Sequence, residues 1–261
     1  MGKIIGVCNQ KGGTAKTTSA INISSFLGLL GRKTLIIDMD PQANATSGLG
    51  FNNENQASVY DLLMGRKALK ECLFQTKWEN LHIIPGDIAL TGGEIELVEK
   101  ENRETQLKNV LAEIKEVYQY IIIDAPPSLS LLTLNVLVAS DSLIVPIQCE
   151  YFALEGVSKL LQTIELVTRR LNTHLEIEGI LLTMADFRTR LTLQVIEEVR
   201  QYFKDKVFNT VIPRNIKLAE APSFGKPISH YDKECIGAKA YGSVTGELLK
   251  EKIDYEQIKG S

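Results

Sequence analysis

A short stretch near the N-terminus contains the residue types and the spacing needed to bind a polyphosphate. Residues 9–18 hold two adjacent glycines, the lysine Lys16 and the threonines Thr17 and Thr18. Small residues allow backbone N–H groups to curl around phosphate oxygens, where a lysine and a Mg²⁺-ligating hydroxyl can act. We therefore expect Lys16 to reach the β- and γ-phosphates, Thr17 to ligate Mg²⁺ and Thr18 to contact the α-phosphate.

The segments on either side of this loop are those that a phosphate-binding loop requires. Residues 3–8 are apolar and partly β-branched, which predicts a buried strand. Residues 19–30 repeat apolar side chains at helical spacing, and Gly31 is a suitable stop. A glycine-containing turn between a strand and a helix favours anion binding, because the helix N-terminus adds its dipole to the backbone N–H groups.

The loop departs from the general phosphate-loop consensus, since Gln10 and Ala15 stand where that pattern has glycine. Residues 11–18, Lys-Gly-Gly-Thr-Ala-Lys-Thr-Thr, instead resemble the deviant phosphate loop of the ParA/MinD family, which has an additional lysine at its start. The resemblance implies that Lys11 reaches across a nucleotide-sandwich dimer to the partner's phosphates. Ala15 departs from the family pattern too, and a positive φ there would cost about 1 kcal/mol or more. The residues expected to contact nucleotide in this loop are Lys11, Gly12, Gly13, Thr14, Ala15, Lys16, Thr17 and Thr18.

Two further predicted strands end in the aspartates Asp38 and Asp124. Carboxylates at the carboxyl ends of parallel strands face the ligand crevice. The segments that begin at these aspartates resemble the two switches of the ParA/MinD family. The resemblance implies that Asp40 orients the attacking water, that Asp38 lies near the metal and that Asp124 holds Mg²⁺. The expected metal site is Thr17, Asp38 and Asp124, and the expected catalytic residues are Lys11, Lys16 and Asp40.

The base of the nucleotide is expected to contact a loop near the C-terminus. Residues 207–212 read as the last strand, and Pro213 and Asn215 follow it directly. In the ParA/MinD family this loop packs on adenine. The resemblance therefore implies that Pro213 and Asn215 contact the base, with Met184 as a further contact from the end of the preceding strand.

Strands and helices alternate along the chain, and many strands are apolar on both faces. This pattern predicts an α/β fold with a doubly wound, mainly parallel sheet and helices on both faces, like the P-loop NTPases of the SIMIBI type. We expect one deviant-Walker-A ATPase domain over residues 1–261, because the sequence has no repeats and no Pro/Gly-rich linker. The four cysteines are widely spaced, and no stretch reaches the roughly 20 apolar residues of a membrane span, so a reduced cytoplasmic protein is expected.

Basic residues in the C-terminal half are candidates for contacting nucleic acid. The formal net charge is −3, so such binding would need a local patch. Members of the ParA/MinD family bind DNA non-specifically through this region when the ATP-bound dimer doubles the patch. By this resemblance the contacts are Arg188, Arg190 and Lys217, and the protein is expected on the nucleoid.

The resemblance as a whole implies an ATPase for chromosome or plasmid partition. ATP and Mg²⁺ would close a homodimer, the dimer would bind double-stranded DNA, and a ParB-type protein would stimulate slow hydrolysis to ADP. Residues 248–258 are polar and acidic, which argues against the amphipathic membrane helix of division-site relatives. Two alternatives stay open, an ATPase that delivers a metal cluster or acts in cofactor synthesis, and a module that positions a protein cargo without DNA.

Overall fold

A seven-stranded sheet forms the centre of the molecule. The structure is a computed structural model that describes residues 2–150, 153 and 155–251. The strand order is β3-β4-β2-β5-β1-β6-β7, and every pair is parallel except β3 with β4. The strands are β1 (Lys3–Val7), β2 (Thr34–Asp38), β3 (Phe74–Gln75), β4 (Leu81–Ile84), β5 (Tyr120–Asp124), β6 (Ser142–Gln148) and β7 (Glu176–Thr183). The predicted doubly wound, mainly parallel sheet is confirmed.

Twelve α-helices are present in the described part of the chain, and they lie on both faces of this sheet. They are α1 (Lys16–Leu29), α2 (Asn44–Gly48), α3 (Val59–Met64), α4 (Leu69–Cys72), α5 (Leu90–Val98), α6 (Gln106–Leu111), α7 (Leu131–Ala139), α8 (Glu155–Arg170), α9 (Arg190–Phe203), α10 (Ile216–Glu220), α11 (Ile228–Tyr231) and α12 (Ile236–Leu249). None of these helices is long and apolar enough to span a bilayer.

The strands separate two hydrophobic cores because successive side chains point to opposite faces. On β1, Ile4 belongs to the core that contains α3 to α9, and Ile5 belongs to the core that contains α1 and α12. On β5, Ile121 and Ile122 divide in the same way. A sheet covered on both faces explains why these strands are apolar throughout rather than alternating with polar residues.

Helix α1 is buried on nearly all sides, between the sheet and the C-terminal helices. Its buried polar side chains are therefore hydrogen-bonded rather than solvated. Ser19 bonds to the Tyr241 hydroxyl at 3.0 Å, and Asn22 accepts the backbone N–H of Ile228 at 2.7 Å. These bonds fix the helix that begins at Lys16, and with it the loop that precedes it.

The prediction of a last strand over residues 207–212 is wrong. This segment makes only isolated bridges beside β7. The backbone N–H of Phe208 donates to the carbonyl of Ile180, and that of Ile212 donates to the carbonyl of Leu182. Between these bridges the carboxylate of Glu247 on α12 accepts the N–H groups of Asn209 and Thr210 at 2.6 and 2.8 Å. Because a side chain takes these donors, the backbone does not form a continuous ladder.

Smaller differences concern helix lengths and the sheet edge. The helical spacing of Leu107, Val110, Leu111, Ile114 and Val117 predicts one helix with these side chains buried, but α6 ends at Leu111 and Val117 is exposed. The charge-rich residues 95–104 predict a solvated helix, but the helix there is α5, which begins earlier, at Leu90, and ends at Val98. The short antiparallel strand β3 was not predicted, because two residues are too few to show a period. The sequence also predicts a closing helix over residues 238–253, and its last two residues and most of the polar segment 248–258 lie outside the described residues.

Candidate nucleotide-binding site

The carboxyl ends of the central strands bring the predicted site residues together. In the strand register, Val7 of β1 is paired with Asp124 of β5, and Asp124 is paired with Asp38 of β2. The predicted phosphate loop leaves β1 at this point. The sheet thus places the loop directly beside both aspartates, although the loop is more than a hundred residues from Asp124 in sequence.

The backbone of the loop is held open at its tip. Gly13 has a φ of 73°, and a Cβ built on either Gly12 or Gly13 would meet nothing within 4 Å. Ala15 has a φ of 65°, so the left-handed conformation considered from the sequence is present. That conformation costs a non-glycine residue about 1–2 kcal/mol. The loop therefore has space for a ligand, and one strained residue immediately precedes helix α1.

Neighbouring strands anchor the two ends of the loop. The side-chain amide of Asn9 donates to the carbonyl of Pro146 on β6 at 2.6 Å, and its Oδ1 accepts the N–H of Lys11 at 3.1 Å. The hydroxyl of Thr183, the last residue of β7, donates to the carbonyl of Thr14 at 3.1 Å. These contacts position the loop across the ends of β1, β6 and β7.

The N-terminus of α1 is suited to receive an anion. Ala15 occupies the N-cap position, where no side chain accepts a hydrogen bond from the first turn, and that turn contains no acidic residue. The first N–H groups of a helix have no partner within the helix, and they carry the positive end of its dipole. A phosphate at this point would satisfy these donors.

Lys16 lies inside the loop and is almost fully buried, with a relative exposure of 6%. Its Nζ donates to the carbonyl of Lys11 at 3.2 Å. Burial lowers the pKa of this ammonium, and the nearby carboxylate of Asp124 acts in the opposite direction. Lys16 is thus a buried cation held within the loop, and its expected contact with the β- and γ-phosphates stays a prediction.

Asp124 has the features expected of a cation ligand. It is fully buried, and neither carboxylate oxygen has a hydrogen-bond partner among the described residues. Burial, reinforced by the neighbouring Asp38, raises its pKa well above the ordinary value. The Thr17 hydroxyl lies close enough to lower that pKa but makes no hydrogen bond of ordinary geometry. A hydroxyl and an unpartnered carboxylate fit Mg²⁺, which usually takes one or two protein oxygens together with phosphate and water.

Asp38 is buried as well, but its oxygens are already engaged. Oδ2 accepts the backbone N–H and the hydroxyl of Thr46 at 2.8 and 2.7 Å, and Oδ1 accepts the N–H of Asp40 at 3.2 Å. Burial raises the pKa of Asp38 to about 6, against the opposing effect of these bonds. In this arrangement Asp38 fixes the segment that carries Asp40, and its role as a metal ligand stays a prediction.

Asp40 begins the turn that leads into α2. It is largely buried, and its Oδ1 accepts the backbone N–H of Gln42 at 2.9 Å. The electrostatic influence of Asp40 reaches both Lys16 and Asp124, so it lies at the same site. Its expected role, to orient the attacking water, is consistent with this placement and stays a prediction.

Lys11 points away from the interior of the loop. Its ammonium is partly exposed and lies 3.6 Å from Oε2 of Glu150, in the turn that follows β6. The two lysines of the loop thus have different environments. Lys16 is buried within the site, whereas Lys11 reaches its outer rim.

The predicted base-contacting residues come from two segments that are joined through their backbones. The backbone N–H of Ala185 donates to the carbonyl of Ile212 at 3.1 Å, and the backbone N–H of Arg214 donates to the carbonyl of Ala185 at 3.0 Å. Met184, the residue before Ala185, has a φ of 53°. Asn215 caps α10 by accepting the N–H of Lys217 at 2.8 Å. The structure therefore brings Met184, Pro213 and Asn215 to one edge, next to the loop that Thr183 anchors.

The predicted DNA contacts lie in the same region but are partly neutralised. Arg188 makes a bidentate pair with Asp186, at 2.8 and 2.6 Å, and holds the pKa of that carboxyl at about 2. Lys217 pairs with Glu220 at 3.1 Å. Arg190 is the first residue of α9. Intrachain carboxylates thus compete with any phosphate for two of the three side chains.

Sequence reasoning missed residues that position the site. Thr46 connects Asp38 to Gly86, whose N–H donates to the Thr46 hydroxyl at 2.9 Å. Thr183 and Glu150 contact the loop from β7 and from the end of β6. A threonine or glutamate has no local pattern that reveals such long-range contacts, although Thr183 and Glu150 lie at or just after the end of a strand.

Comparisons with known proteins show which family the chain resembles. The model of a protein family described as "AAA domain" matches residues 2–177. The sporulation initiation inhibitor protein Soj of Bacillus subtilis is 53% identical over 249 residues, which cover 95% of this chain and 98% of that protein. The chromosome-partitioning ATPase Soj of Treponema pallidum is 52% identical, with the same coverage of both chains.

A solved structure shows the same fold. Cobyrinic acid a,c-diamide synthase from Mycobacterium smegmatis, with bound ADP and magnesium, superposes with a TM-score of 0.84 at 35% identity. The match covers 96% of this chain and 95% of that one. Together with the deviant phosphate loop and the two aspartate-ending strands, these similarities show that the chain belongs to the ParA/MinD family of P-loop ATPases, on its Soj/ParA branch.

Proposed function

We propose that this protein is a partition ATPase for a chromosome or a plasmid, in which Mg²⁺ and ATP close a sandwich homodimer. The observation that carries the dimer is the outward direction of Lys11. Its ammonium lies at the rim of the loop beside Glu150, while Lys16 lies within the loop. A second protomer could therefore receive Lys11 without displacing Lys16. The names of the relatives support a role in partition.

The site residues divide the chemistry of hydrolysis among them. The loop amides, the N-terminus of α1 and Lys16 hold the phosphates of ATP. Thr17 and Asp124 would hold Mg²⁺, with Asp38 nearby, and the ion would neutralise phosphate charge. Asp40 orients the water that attacks the γ-phosphate in line. The partner's Lys11 stabilises the charge that develops on the transferred group.

The remaining steps follow from the closed dimer. Two copies of the surface formed by Arg188, Arg190 and Lys217 bind double-stranded DNA without reading its sequence, since phosphate contacts carry no base information. Met184, Pro213 and Asn215 contact adenine. A ParB-type protein stimulates slow hydrolysis to ADP, which returns the protein to monomers and releases it from the nucleoid.

Co-sedimentation with random-sequence DNA tests this proposal directly. We expect DNA binding with ATP and Mg²⁺, weak binding with ADP, and a shift from monomer to dimer in light scattering under the first condition only. Binding should weaken steeply as the salt concentration rises. ATP-driven dimers that ignore DNA at low salt would instead favour the positioning of a protein cargo.

A second candidate is an ATPase of cofactor synthesis or metal-cluster delivery. The similarity to cobyrinic acid a,c-diamide synthase at 35% identity favours it. The higher identity to proteins named for chromosome partition favours the first proposal. ATP turnover that depends on a corrinoid acid, or copurification with a metal cluster, would support this alternative.

A further inference from the structure

Glu150 contacts both ends of the candidate site. Its Oε2 lies 3.6 Å from the Nζ of Lys11, at the phosphate end. Its Oε1 lies 3.9 Å from Nη2 of Arg214, in the loop expected to contact the base. The carboxylate of Glu150 therefore lies between two cations, Lys11 and Arg214.

The local structure fixes the direction of this carboxylate. Glu150 lies two residues after the end of β6. The residue between them, Cys149, donates its N–H to the carbonyl of Thr183 at 3.0 Å. The side-chain amide of Gln148 donates to Oε1 of Glu150. Because one oxygen is held by Gln148, the other remains directed at Lys11. The contact follows from how β6 ends and from the bond to Gln148.

The pair conflicts with the role assigned to Lys11 in a closed dimer. A lysine that contacts its own Glu150 cannot at the same time reach the partner's phosphates. Closure must therefore break the contact between Lys11 and Glu150, and Arg214 remains beside the same carboxylate to neutralise it.

We propose that Glu150 is a positioning residue that holds Lys11 within its own protomer and so sets the ATP concentration at which two protomers close. This inference rests on the proposed ATP-driven dimer. An ion pair between partly exposed side chains is weak, so Glu150 acts as an adjustable latch and not as a block. When ATP is bound, phosphate charge on the partner competes for Lys11, and Glu150 turns to Arg214 alone.

The test compares the wild-type protein with Glu150→Gln and Glu150→Asp. Dimer formation is followed by light scattering as ATP is titrated with excess Mg²⁺. We expect Glu150→Gln to lower the ATP concentration for half-maximal dimerisation by about two- to fivefold, as loss of a surface ion pair allows. Glu150→Asp keeps the charge with a shorter reach and should fall between the two. Glu165→Gln removes another exposed glutamate that pairs with an arginine, on α8, and should behave as wild type.

A second readout does not require dimers. The rate at which an amine-reactive reagent labels Lys11 is measured by mass spectrometry in nucleotide-free protein. The ammonium of Lys11 is no longer held against a carboxylate in Glu150→Gln and is more accessible to the reagent, so Lys11 should label faster in that variant and at an unchanged rate in Glu165→Gln.

The outcomes separate this inference from the proposed function. An unchanged or higher ATP requirement in Glu150→Gln, or an unchanged labelling rate, would overturn the latch while wild-type dimers still supported the function. Wild-type protein that stays monomeric with ATP would overturn the proposed function and with it the effect on closure. In that case, faster labelling of Lys11 in Glu150→Gln would show only that Glu150 contacts Lys11, and it would not support a role of Glu150 in dimer formation.

Discussion

Asp38 and Asp124 occupy paired positions at the carboxyl ends of β2 and β5, yet their carboxylates have opposite hydrogen-bonding states. Asp38 accepts bonds from Thr46 and from the backbone of Asp40, whereas neither oxygen of Asp124 has a partner among the described residues. An unpartnered buried carboxylate is costly unless a cation or a proton compensates it. The difference indicates that Asp38 supports the segment that follows it, and it is consistent with the proposed role of Asp124 as a cation ligand.

The first prediction concerns pH and Asp124. Burial raises the pKa of Asp124 in the folded protein, so the folded state favours the protonated carboxyl. The stability that this preference gives is fully present below the ordinary pKa of 3.8, and it is lost as the pH rises through the higher pKa of the folded state. Burial also raises the pKa of Asp38, to about 6, so ionisation of Asp38 lowers the stability of the folded protein as the pH rises from 3.8 through about 6. Asp124→Asn should therefore raise the free energy of unfolding of nucleotide-free protein at pH 7.5 by about 1 kcal/mol or more, with little change below pH 4.

Urea denaturation at several pH values measures this effect. Asp205→Asn, at an exposed position, serves as the control and should change little. Addition of Mg²⁺ and ADP should raise the melting temperature of the wild-type protein more than that of Asp124→Asn. A variant that is less stable at pH 7.5 without nucleotide would show that the Asp124 charge is compensated within the chain.

The second prediction concerns Lys16. Lys16→Ala should abolish ATP binding, because it removes the buried ammonium held within the loop. Titration calorimetry with ATP and Mg²⁺ measures the loss, and Lys108→Ala on the exposed surface of α6 should bind as wild type does. Micromolar ATP binding by Lys16→Ala would refute the assignment of the phosphate loop.

The third prediction concerns the strained Ala15. Ala15→Gly should relieve the left-handed strain and stabilise the protein by less than about 1 kcal/mol, because glycine also gains freedom in the unfolded chain. The same change should tighten nucleotide binding, since the residue lies where the loop enters α1. Ala43 has a similar φ of 52° at the start of α2, so Ala43→Gly is a matched control for stability. Tighter binding in both variants would mean that the effect is not specific to the loop.

The fourth prediction concerns Asp40. Asp40→Ala should lower ATP hydrolysis by about 10²-fold or more while the ATP-bound dimer persists, because the group that orients the water is lost. Phosphate release and size-exclusion chromatography measure the two properties. Gln42→Ala keeps the backbone N–H that Asp40 accepts and should retain activity. Normal hydrolysis by Asp40→Ala would remove this residue from the mechanism.

The fifth prediction concerns DNA binding by Arg188. Arg188→Glu should abolish DNA binding but leave dimerisation intact. Asp186→Asn should have the opposite effect and strengthen binding, because it frees Arg188 from its bidentate partner. Each phosphate contact contributes about 0.9 to the slope of log affinity against log salt concentration, so the slope should change with the number of contacts. Arg169→Glu, on α8, is the control, and equal DNA binding by all variants would place the interface elsewhere.

The sequence by itself determined the local features of this protein. The phosphate loop between a strand and a helix, the aspartates Asp38 and Asp124 at strand ends and the alternation of strands with helices are all short-range patterns. Each reflects backbone freedom, helix capping or burial on both faces of a sheet, which neighbouring residues are sufficient to specify.

Only the tertiary structure decided which of these groups are engaged and which are free. The bonds that occupy Asp38, the pair between Lys11 and Glu150 and the capture of Arg188 by Asp186 depend on the exact placement of side chains. The same holds for the failed strand over residues 207–212, where Glu247, nearly forty positions away in sequence, takes the N–H groups that a ladder needs. Hydrogen bonds and ion pairs depend on distances of a few ångströms between side chains, whether these are remote in sequence, as for Lys11 and Glu150, or close, as for Asp186 and Arg188, and residue types and spacing alone do not specify them.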